Sequence, residues 1–246
     1  MNHRHSAILE LVNKERRVMV SELAEHTGVS EVTIRQDLNQ LESQGFLKRV
    51  HGAALSTQND DISARMEVSF DTKQKLANSA ANLVLSGETI LIEGGSANAL
   101  LARSLSNRKD ITIITPSAYI AHLLRNTEAN VILLGGVYQH QGESLVGPLT
   151  KLCIQHTHFS TAFIGIDGYH RDTGFTSKDM MRAEVVSEIL AKSKRNIVLT
   201  DASKFGQIYS TSLGSLEQFS VLITDKEAPT SDINLLKSKG IETILV

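Results

Sequence analysis

Residues 28–52 read GVSEVTIRQDLNQLESQGFLKRVHG, and the period of this stretch decides how the first quarter of the chain folds. Ile34, Leu38 and Leu41 recur at i, i+4 and i+7, the spacing of one buried helical stripe. Ser30 stands just before the run, where a side-chain oxygen can accept from an N–H that the first helical turn leaves unpaired. Gly28 falls at the tightest point of the HTGVS turn, and Gly45 stands where a left-handed helix stop is wanted. FLKRV and AAL flank His51 and Gly52 and read as two short strands around a tight turn, a small wing. The helix face opposite the stripe carries Val32, Gln36, Asn39 and Ser43, flanked by Thr33, Arg35 and Gln40.

Upstream, Ile8, Leu9, Leu11 and Val12 supply the apolar face of a first helix, and residues 18–20 form a short extended bridge. Ser21 is the expected cap of a second helix that holds Leu23 and Ala24. Three helices and a wing over residues 1–55 describe a winged helix-turn-helix. Its polar face suits double-stranded DNA: arginine pairs with guanine edges, glutamine and asparagine pair with adenine, and valine or threonine touches a thymine methyl. A major groove about 12 Å wide admits one such helix. Arg16, Arg17, Lys48, Arg49 and His51 fall on the loop and the wing, where phosphates would run. A solvated polar face is the bland alternative, and the preceding helix, the turn and the basic wing weigh against it.

Charge sets a limit on that reading. The chain of 246 residues has a net charge of −2, so no global positive field draws it to nucleic acid or to an anionic membrane. Within residues 1–55 the seven cations, Arg4, Lys14, Arg16, Arg17, Arg35, Lys48 and Arg49, meet seven carboxylates. One copy should bind weakly, and affinity should come from two or more copies on a two-fold site. Asp37 reads as a structural charge beside the core stripe, while Glu31 in the first turn suits the helix dipole or a cytosine amino group.

Residues 56–71, STQNDDISARMEVSFD, show no long period and read as a linker. From residue 72 to 246, helical segments alternate with apolar runs such as TILIEGG, ITIITPS, NVILLGG, TAFIGIDG, NIVLTD, VLITD and ETILV. That alternation predicts an α/β domain with a parallel sheet covered on both faces. Hydrophobic residues at 41% and charged residues at 21% fit a soluble globular protein. Mixed charge at the start, and no run of the roughly 18–20 apolar residues a span needs, lead to the expectation of a cytoplasmic protein with no membrane partner. Cys153 is expected as a buried structural thiol. His156 and His158 lack acidic or cysteine partners at ligand spacing, so neither a metal nor another cofactor is expected.

Three strand-to-helix turns carry the chemistry of this second domain. Gly94, Gly95, Ser96, Ala97 and Asn98 form a small-residue turn at a helix start, where backbone N–H groups and the helix dipole favour an anion. GIDG places Asp167 and Gly168 after another strand, and TDASK places Asp201 and Lys204 after a third. In a parallel sheet such turns gather at the carboxyl ends of the strands, where ligands bind. A phosphate cradle near an acid and a lysine fits a phosphorylated sugar or polyol.

The stretch VSELAEHTGVSEVTIRQDLNQLESQGFLKRVHGAA resembles the N-terminal signature of the DeoR family of bacterial transcription regulators. EGGSAN, VILLGGVY, SLVGP, FIGIDG, GFTSKDMMRAEV and TDASKFG extend the resemblance over essentially the whole chain. It implies a repressor of a carbohydrate-related operon, with a C-terminal domain similar to ribose-5-phosphate isomerase acting as the effector sensor. By the same resemblance Gly95, Ser96, Ala97 and Asn98 would hold a phosphate, and Asp167, Lys178, Arg182, Glu184 and Lys204 would line the sugar end. Thr115, Ser117 and Gly136 are further candidates. Two departures stand out: Gln36 stands at a position that is often arginine, and Ala53 replaces the second glycine of the wing. The first implies a different base preference or a lost phosphate contact, the second a stiffer wing. An isomerase fused to a DNA reader is the alternative, with Glu184 as base and Lys204 as cation. Its acid-rich turn is reduced here to GIDGYH, with Asp167 alone, which favours a sensor over an enzyme. The expected assembly is a homo-oligomer, dimer or tetramer, bound to operator DNA.

Overall fold

The computed structural model describes residues 3–15, 17–44, 46–56 and 62–246. The chain divides into two compact units, Met1–Phe70 and Asp71–Val246. Arg16 and Gly45, singled out in the sequence, lie outside the described residues, as do residues 57–61.

In the first unit the elements run α1 (His3–Glu15), β1 (Arg17–Met19), α2 (Val20–Thr27), α3 (Glu31–Ser43), β2 (Leu47–Val50), β3 (Ala53–Ser56) and α4 (Ile62–Glu67). The strands form one antiparallel sheet in the order β1-β3-β2, so the extended bridge joins the wing as its third strand. Ile8, Leu9 and Val12 of α1, Leu23 of α2, and Ile34, Leu38 and Leu41 of α3 share one buried cluster with Leu47 and Ala54 of the sheet. Ser30 caps α3, its Oγ accepting from the Thr33 N–H at 3.2 Å. Gly28 closes α2 in the left-handed region at φ +70°, its N–H donating to the Ala24 carbonyl at 2.9 Å. Two expectations are corrected. Ser21 lies inside α2 rather than capping it, because the helix starts where β1 ends and Glu22 Oε2 accepts from the Met19 N–H at 2.8 Å. The stretch read as a linker contains α4, whose Ile62 and Met66 stand one helical turn apart and are both buried, a pair too short to show a period.

Asp37 fastens α3 to α1. Its carboxylate accepts from Arg4 Nε at 2.6 Å and Arg4 Nη2 at 3.0 Å, and lies 2.9 Å from His5 Nε2. Arg4 and His5 are thus set beside the stripe that Ile34, Leu38 and Leu41 bury, which holds α3 to α1 by directed contacts as well as by its apolar face.

The second unit runs α5 (Phe70–Ala81), β4 (Thr89–Ile92), α6 (Ser96–Ser104), β5 (Thr112–Thr115), α7 (Ala118–Leu123), β6 (Asn130–Leu133), β7 (Val137–Gln139), β8 (Ser144–Val146) and α8 (Pro148–Gln155). It continues with β9 (Thr161–Ile164), β10 (Gly168–His170), β11 (Gly174–Ser177), α9 (Met180–Lys192), β12 (Arg195–Leu199), β13 (Thr211–Ser212), β14 (Val221–Thr224), α10 (Thr230–Ser238) and β15 (Glu242–Leu245). Seven strands form a parallel sheet in the order β15-β14-β12-β9-β4-β5-β6. Every residue of β9 and β14 is buried, which is why these strands read as unbroken apolar runs. Leu91, Ile114, Ile164, Val198 and Leu222 of the sheet share a core with Val186 and Ile189 of α9 and Leu236 of α10. From β4 the chain steps outward through β5 to β6, and then β9 returns on the other side of β4. The winding direction therefore reverses between β4 and β9, and a crevice opens at the carboxyl ends of strands at such a point.

The Asp37 pairing has a pH signature. The Arg4 hydrogen bonds hold the Asp37 carboxyl below the ordinary aspartate value against the opposing effect of burial, with His5 adding to the lowering. Its stabilisation is complete above the unfolded value of about 3.9 and is lost as pH falls through the lowered folded value. Asp37→Asn should cost about 2 kcal/mol at neutral pH, in the range for hydrogen bonds to a charged group. Calorimetry of the full chain should show the gap between wild type and Asp37→Asn shrinking below about pH 4; a gap that widens there contradicts the pairing.

Candidate functional sites

The exposed face of α3 presents the side chains that the sequence singled out. Val32, Arg35, Gln36, Asn39, Gln40 and Ser43 are exposed, and Thr33 is half-buried. Val32 is 62% exposed, so packing does not account for an apolar side chain there. Ser30 and Thr33 belong to the helix start itself, their hydroxyls 3.0 Å apart. Arg35 Nη2 lies 2.6 Å from Glu31 Oε2, one turn earlier on the same helix. On the wing and its approach, Arg17, Lys48 and His51 are exposed. Arg49 differs from expectation: its guanidinium donates to Asn39 Oδ1 instead of standing clear for a phosphate, and its backbone N–H donates to Glu42 Oε1 at 2.7 Å. This tie between wing and helix was missed, because nothing in the local pattern pairs residues ten positions apart across a helix end.

In the second unit the candidate residues follow successive carboxyl ends of the sheet. Gly94 and Gly95 follow β4, and α6 begins at Ser96. Gly95 has φ +105°, a conformation closed to ordinary side chains, and a Cβ built there meets nothing within 4 Å. The turn thus bares backbone at a helix N-terminus, beside the buried Ser96. Asn98, expected to help hold a phosphate, is buried, and its Nδ2 donates to the Gly94 carbonyl at 3.1 Å and the Phe163 carbonyl at 3.2 Å, joining β4 to β9.

Across the reversal point lies a buried ion network that the sequence only half revealed. Arg182 Nε and Nη2 donate to the two oxygens of Glu93 at 2.7 and 2.9 Å. Nη2 also donates to the Gly165 carbonyl at 2.7 Å, and Nη1 to Asp167 Oδ2 at 3.0 Å. Asp167 Oδ2 accepts in addition from Ser177 Oγ and the Lys178 N–H, both at 3.0 Å. Burial works against the charge on Arg182, but Glu93, then Asp167 and Asp179, outweigh it and push its pKa up. Glu93 was missed as a participant; its place one residue before the glycine turn was the available signal.

The remaining candidates divide. Lys178 Nζ stands 4.8 Å from the centre of the Tyr209 ring, and Lys204 ends a short 3-10 turn after β12, the strand beside β9. Glu184 is a correction: two residues beyond Arg182 on α9 is a rotation of roughly 200°, which leaves it exposed, 3.7 Å from Lys151 of α8 and away from the cluster. Gly168 is required by packing, since a Cβ there would stand 2.4 Å from the Gln207 carbonyl oxygen. Gly136 is likewise fixed by Thr150, whose Oγ1 would be 2.0 Å away. Thr115 Oγ1 accepts from the Ser117 N–H at 3.1 Å, and Ser117 Oγ caps α7 through the Ile120 N–H at 3.2 Å, so both hydroxyls shape their own turn. His156 and His158 are exposed, and among the described residues no group of three or more His, Cys, Asp or Glu is placed to hold a metal ion. Cys153, expected in the core, is only partly buried at its edge. Among the described residues no helix is long and apolar enough to cross a membrane.

Comparison with known families agrees with both halves of this picture. Residues 4–60 match the DeoR-like helix-turn-helix domain, and residues 69–226 match the DeoR C-terminal sensor domain. Relatives include the uncharacterized HTH-type transcriptional regulator FruR of Bacillus subtilis, 31% identical over 93% of this chain and 93% of that protein. The glycerol-3-phosphate regulon repressor of Escherichia coli is 28% identical over 97% and 96% of the two chains. The L-fucose operon activator of Haemophilus influenzae is 27% identical over the full length of both. Among solved structures, ribose 5-phosphate isomerase A from Methanocaldococcus jannaschii aligns with a TM-score of 0.42 and 23% identity, over 56% of this chain and 55% of that one. The chain belongs to the DeoR family and is a DNA-binding transcriptional regulator.

The ion network makes a direct stability prediction. Arg182→Met strands the Glu93 carboxylate, which is 2% exposed, without its cation, and breaking a buried pair this way costs about 3–5 kcal/mol. Removing both charges in Arg182→Met/Glu93→Gln should recover about half of that loss or more. Urea unfolding of the full chain measures all three; a double variant as unstable as the sum of the singles contradicts a direct pairing.

Proposed function

We propose that this DeoR-family regulator represses a carbohydrate-related operon, and that a phosphorylated sugar or polyol bound where α6 begins sets its affinity for operator DNA. The carrying observation is a coincidence of position. The point between β4 and β9 where the winding reverses is also where Gly95 bares backbone, Ser96 opens a helix, and Arg182 gathers Glu93 and Asp167. A helix start favours the phosphate through its free N–H groups and dipole, and the half-buried Asp167 carboxylate is an acceptor of the kind sugar hydroxyls meet. The names of the relatives, which include a glycerol-3-phosphate regulon repressor and an L-fucose operon activator, support this chemical class.

The mechanism needs more than one copy. Two or four chains in the cytoplasm, joined through their second units, would set pairs of α3 helices over half-sites one or more turns apart. The effector moves the balance of arrangements only by its difference in affinity between them, commonly about 1–3 kcal/mol. For repression relieved by ligand, the operator-bound arrangement holds the effector more weakly. An isomerase reading has less support, since Glu184 faces Lys151 and the Glu93 carboxylate is engaged by Arg182.

A thermal-shift panel of sugar and polyol phosphates, each with its unphosphorylated partner, tests the reading. A true effector stabilises the folded chain by about 2.7 kcal/mol at a hundredfold excess over its dissociation constant. Ser96→Asp places a carboxylate where the phosphate belongs and should abolish that shift while leaving the fold intact, as an acid is favourable at a helix start. A shift that persists in Ser96→Asp, or equal shifts from phosphorylated and unphosphorylated compounds, contradicts the proposed site.

A further inference from the structure

The contact between wing and reading helix determines what one reading residue can recognise. Arg49, on β2, meets Asn39, on α3, through its guanidinium. A guanidinium has five N–H donors and no acceptor, so the Asn39 atom that faces it is the carbonyl Oδ1. Turning the amide over would set donor against donor. Arg49 is itself held by its backbone, through the 2.7 Å bond from its N–H to Glu42 Oε1 in the last turn of α3. Asn39 is exposed, so it offers Nδ2 with its two hydrogens, beside an Oδ1 whose one remaining lone pair lies next to a guanidinium.

Asparagine reads adenine with both ends of its amide, Nδ2 donating to N7 and Oδ1 accepting from the N6 amino group. Oδ1 keeps a second lone pair, but an adenine amino group donating to it would stand against the Arg49 guanidinium, donor beside cation. An amide that meets the base with Nδ2 matches an edge with two acceptors. In the major groove that edge is guanine, with N7 and O6; cytosine offers a donor, and thymine a single O4 beside its methyl. We infer that Arg49 is a positioning residue that makes Asn39 a reader of guanine instead of adenine. This rests on α3 being the element that enters the groove, and it reverses the adenine pairing that residue type alone suggests for Asn39.

The test is selection of binding sites by the full chain from a randomised duplex pool, with variants run in parallel. Wild type should enrich a site with a guanine in each half whose preference over adenine, roughly tenfold, disappears in Asn39→Ala. Asn39→Asp keeps a partner for Arg49 but removes the Nδ2 donors, so it should also lose that guanine. In Arg49→Met the same position should turn toward adenine, with the salt dependence of binding unchanged. Lys48→Ala is the comparison, since loss of a phosphate contact lowers affinity for all sequences and reduces the log–log salt slope by about one. If Arg49→Met instead keeps the wild-type site and shows that shallower slope, Arg49 is a phosphate contact and the inference is overturned. A position dependent on Asn39 that already favours adenine in wild type, or a guanine retained in Asn39→Asp, overturns it equally. Enrichment of no sequence by wild type would remove the groove-reading helix itself, a failure distinct from the other outcomes.

Discussion

The guanidinium of Arg182 joins pieces of chain that lie far apart in sequence. It binds the end of β4 through Glu93, the exit of β9 through Gly165 and Asp167, and so holds together the two strand ends between which the sheet reverses. Gly94, Gly95 and Gly165 have no side chains to pack, so the loops leaving those strands are tied by polar contacts, this guanidinium and the buried Asn98 amide among them. Gly165 needs to be glycine for this approach: a Cβ there would come within 3.0 Å of the Gly94 carbonyl oxygen. Desolvating a charge is costly, and the network is tolerable because each Arg182 nitrogen has an oxygen to meet. A neutral core at this place could be as stable, but it would leave the glycine turn at the start of α6 without a fixed wall.

The first unit uses the same device. Asp37 accepts from Arg4 and faces His5, which sets α3 against α1 with a direction that apolar packing alone does not impose. In both units a charge set among apolar side chains fixes elements distant in sequence against each other. The reading face is further shaped at its surface, where Glu31 holds Arg35 and Arg49 holds Asn39. Charges that balance in number are therefore unequal in role: Asp37, Glu31 and Glu42 are committed within the unit, while Lys48 and Arg17 stand exposed.

Much of the architecture was legible because it rests on short-range rules. A 3.6-residue period marked α3, unbroken apolar runs marked the parallel strands, and the cap at Ser30 follows from one side chain and one N–H. Elements without a period were less visible. Among the described side chains α4 buries Ile62 and Met66, and the paired strands β7 and β8 are three residues each. The start of α2 lies two residues earlier than expected, at a Met19 cap instead of Ser21, because Glu22 reaches the Met19 N–H. The glycine turn before α6 was legible, since Gly95 and Ser96 stand where small residues meet a helix start. Partners were not legible where long-range pairing decides, since Arg182 and Glu93 are 89 positions apart and Arg4 and Asp37 are 33. Glu184 shows the same limit from the other side: it neighbours Arg182 in sequence, yet helix rotation turns it to Lys151.

In the proposed mechanism, effector binding at the start of α6 and operator binding by α3 share one coupling free energy, and such a coupling is reciprocal. Calorimetric titration of the stabilising sugar phosphate into the free protein and into its complex with operator DNA measures that coupling directly. The effector's dissociation constant should be larger in the DNA complex, by the same factor by which the effector weakens DNA binding, about 5- to 150-fold for a coupling of 1–3 kcal/mol. Equal dissociation constants with and without DNA would contradict the mechanism, leaving a ligand site and a DNA reader that share a chain but do not communicate.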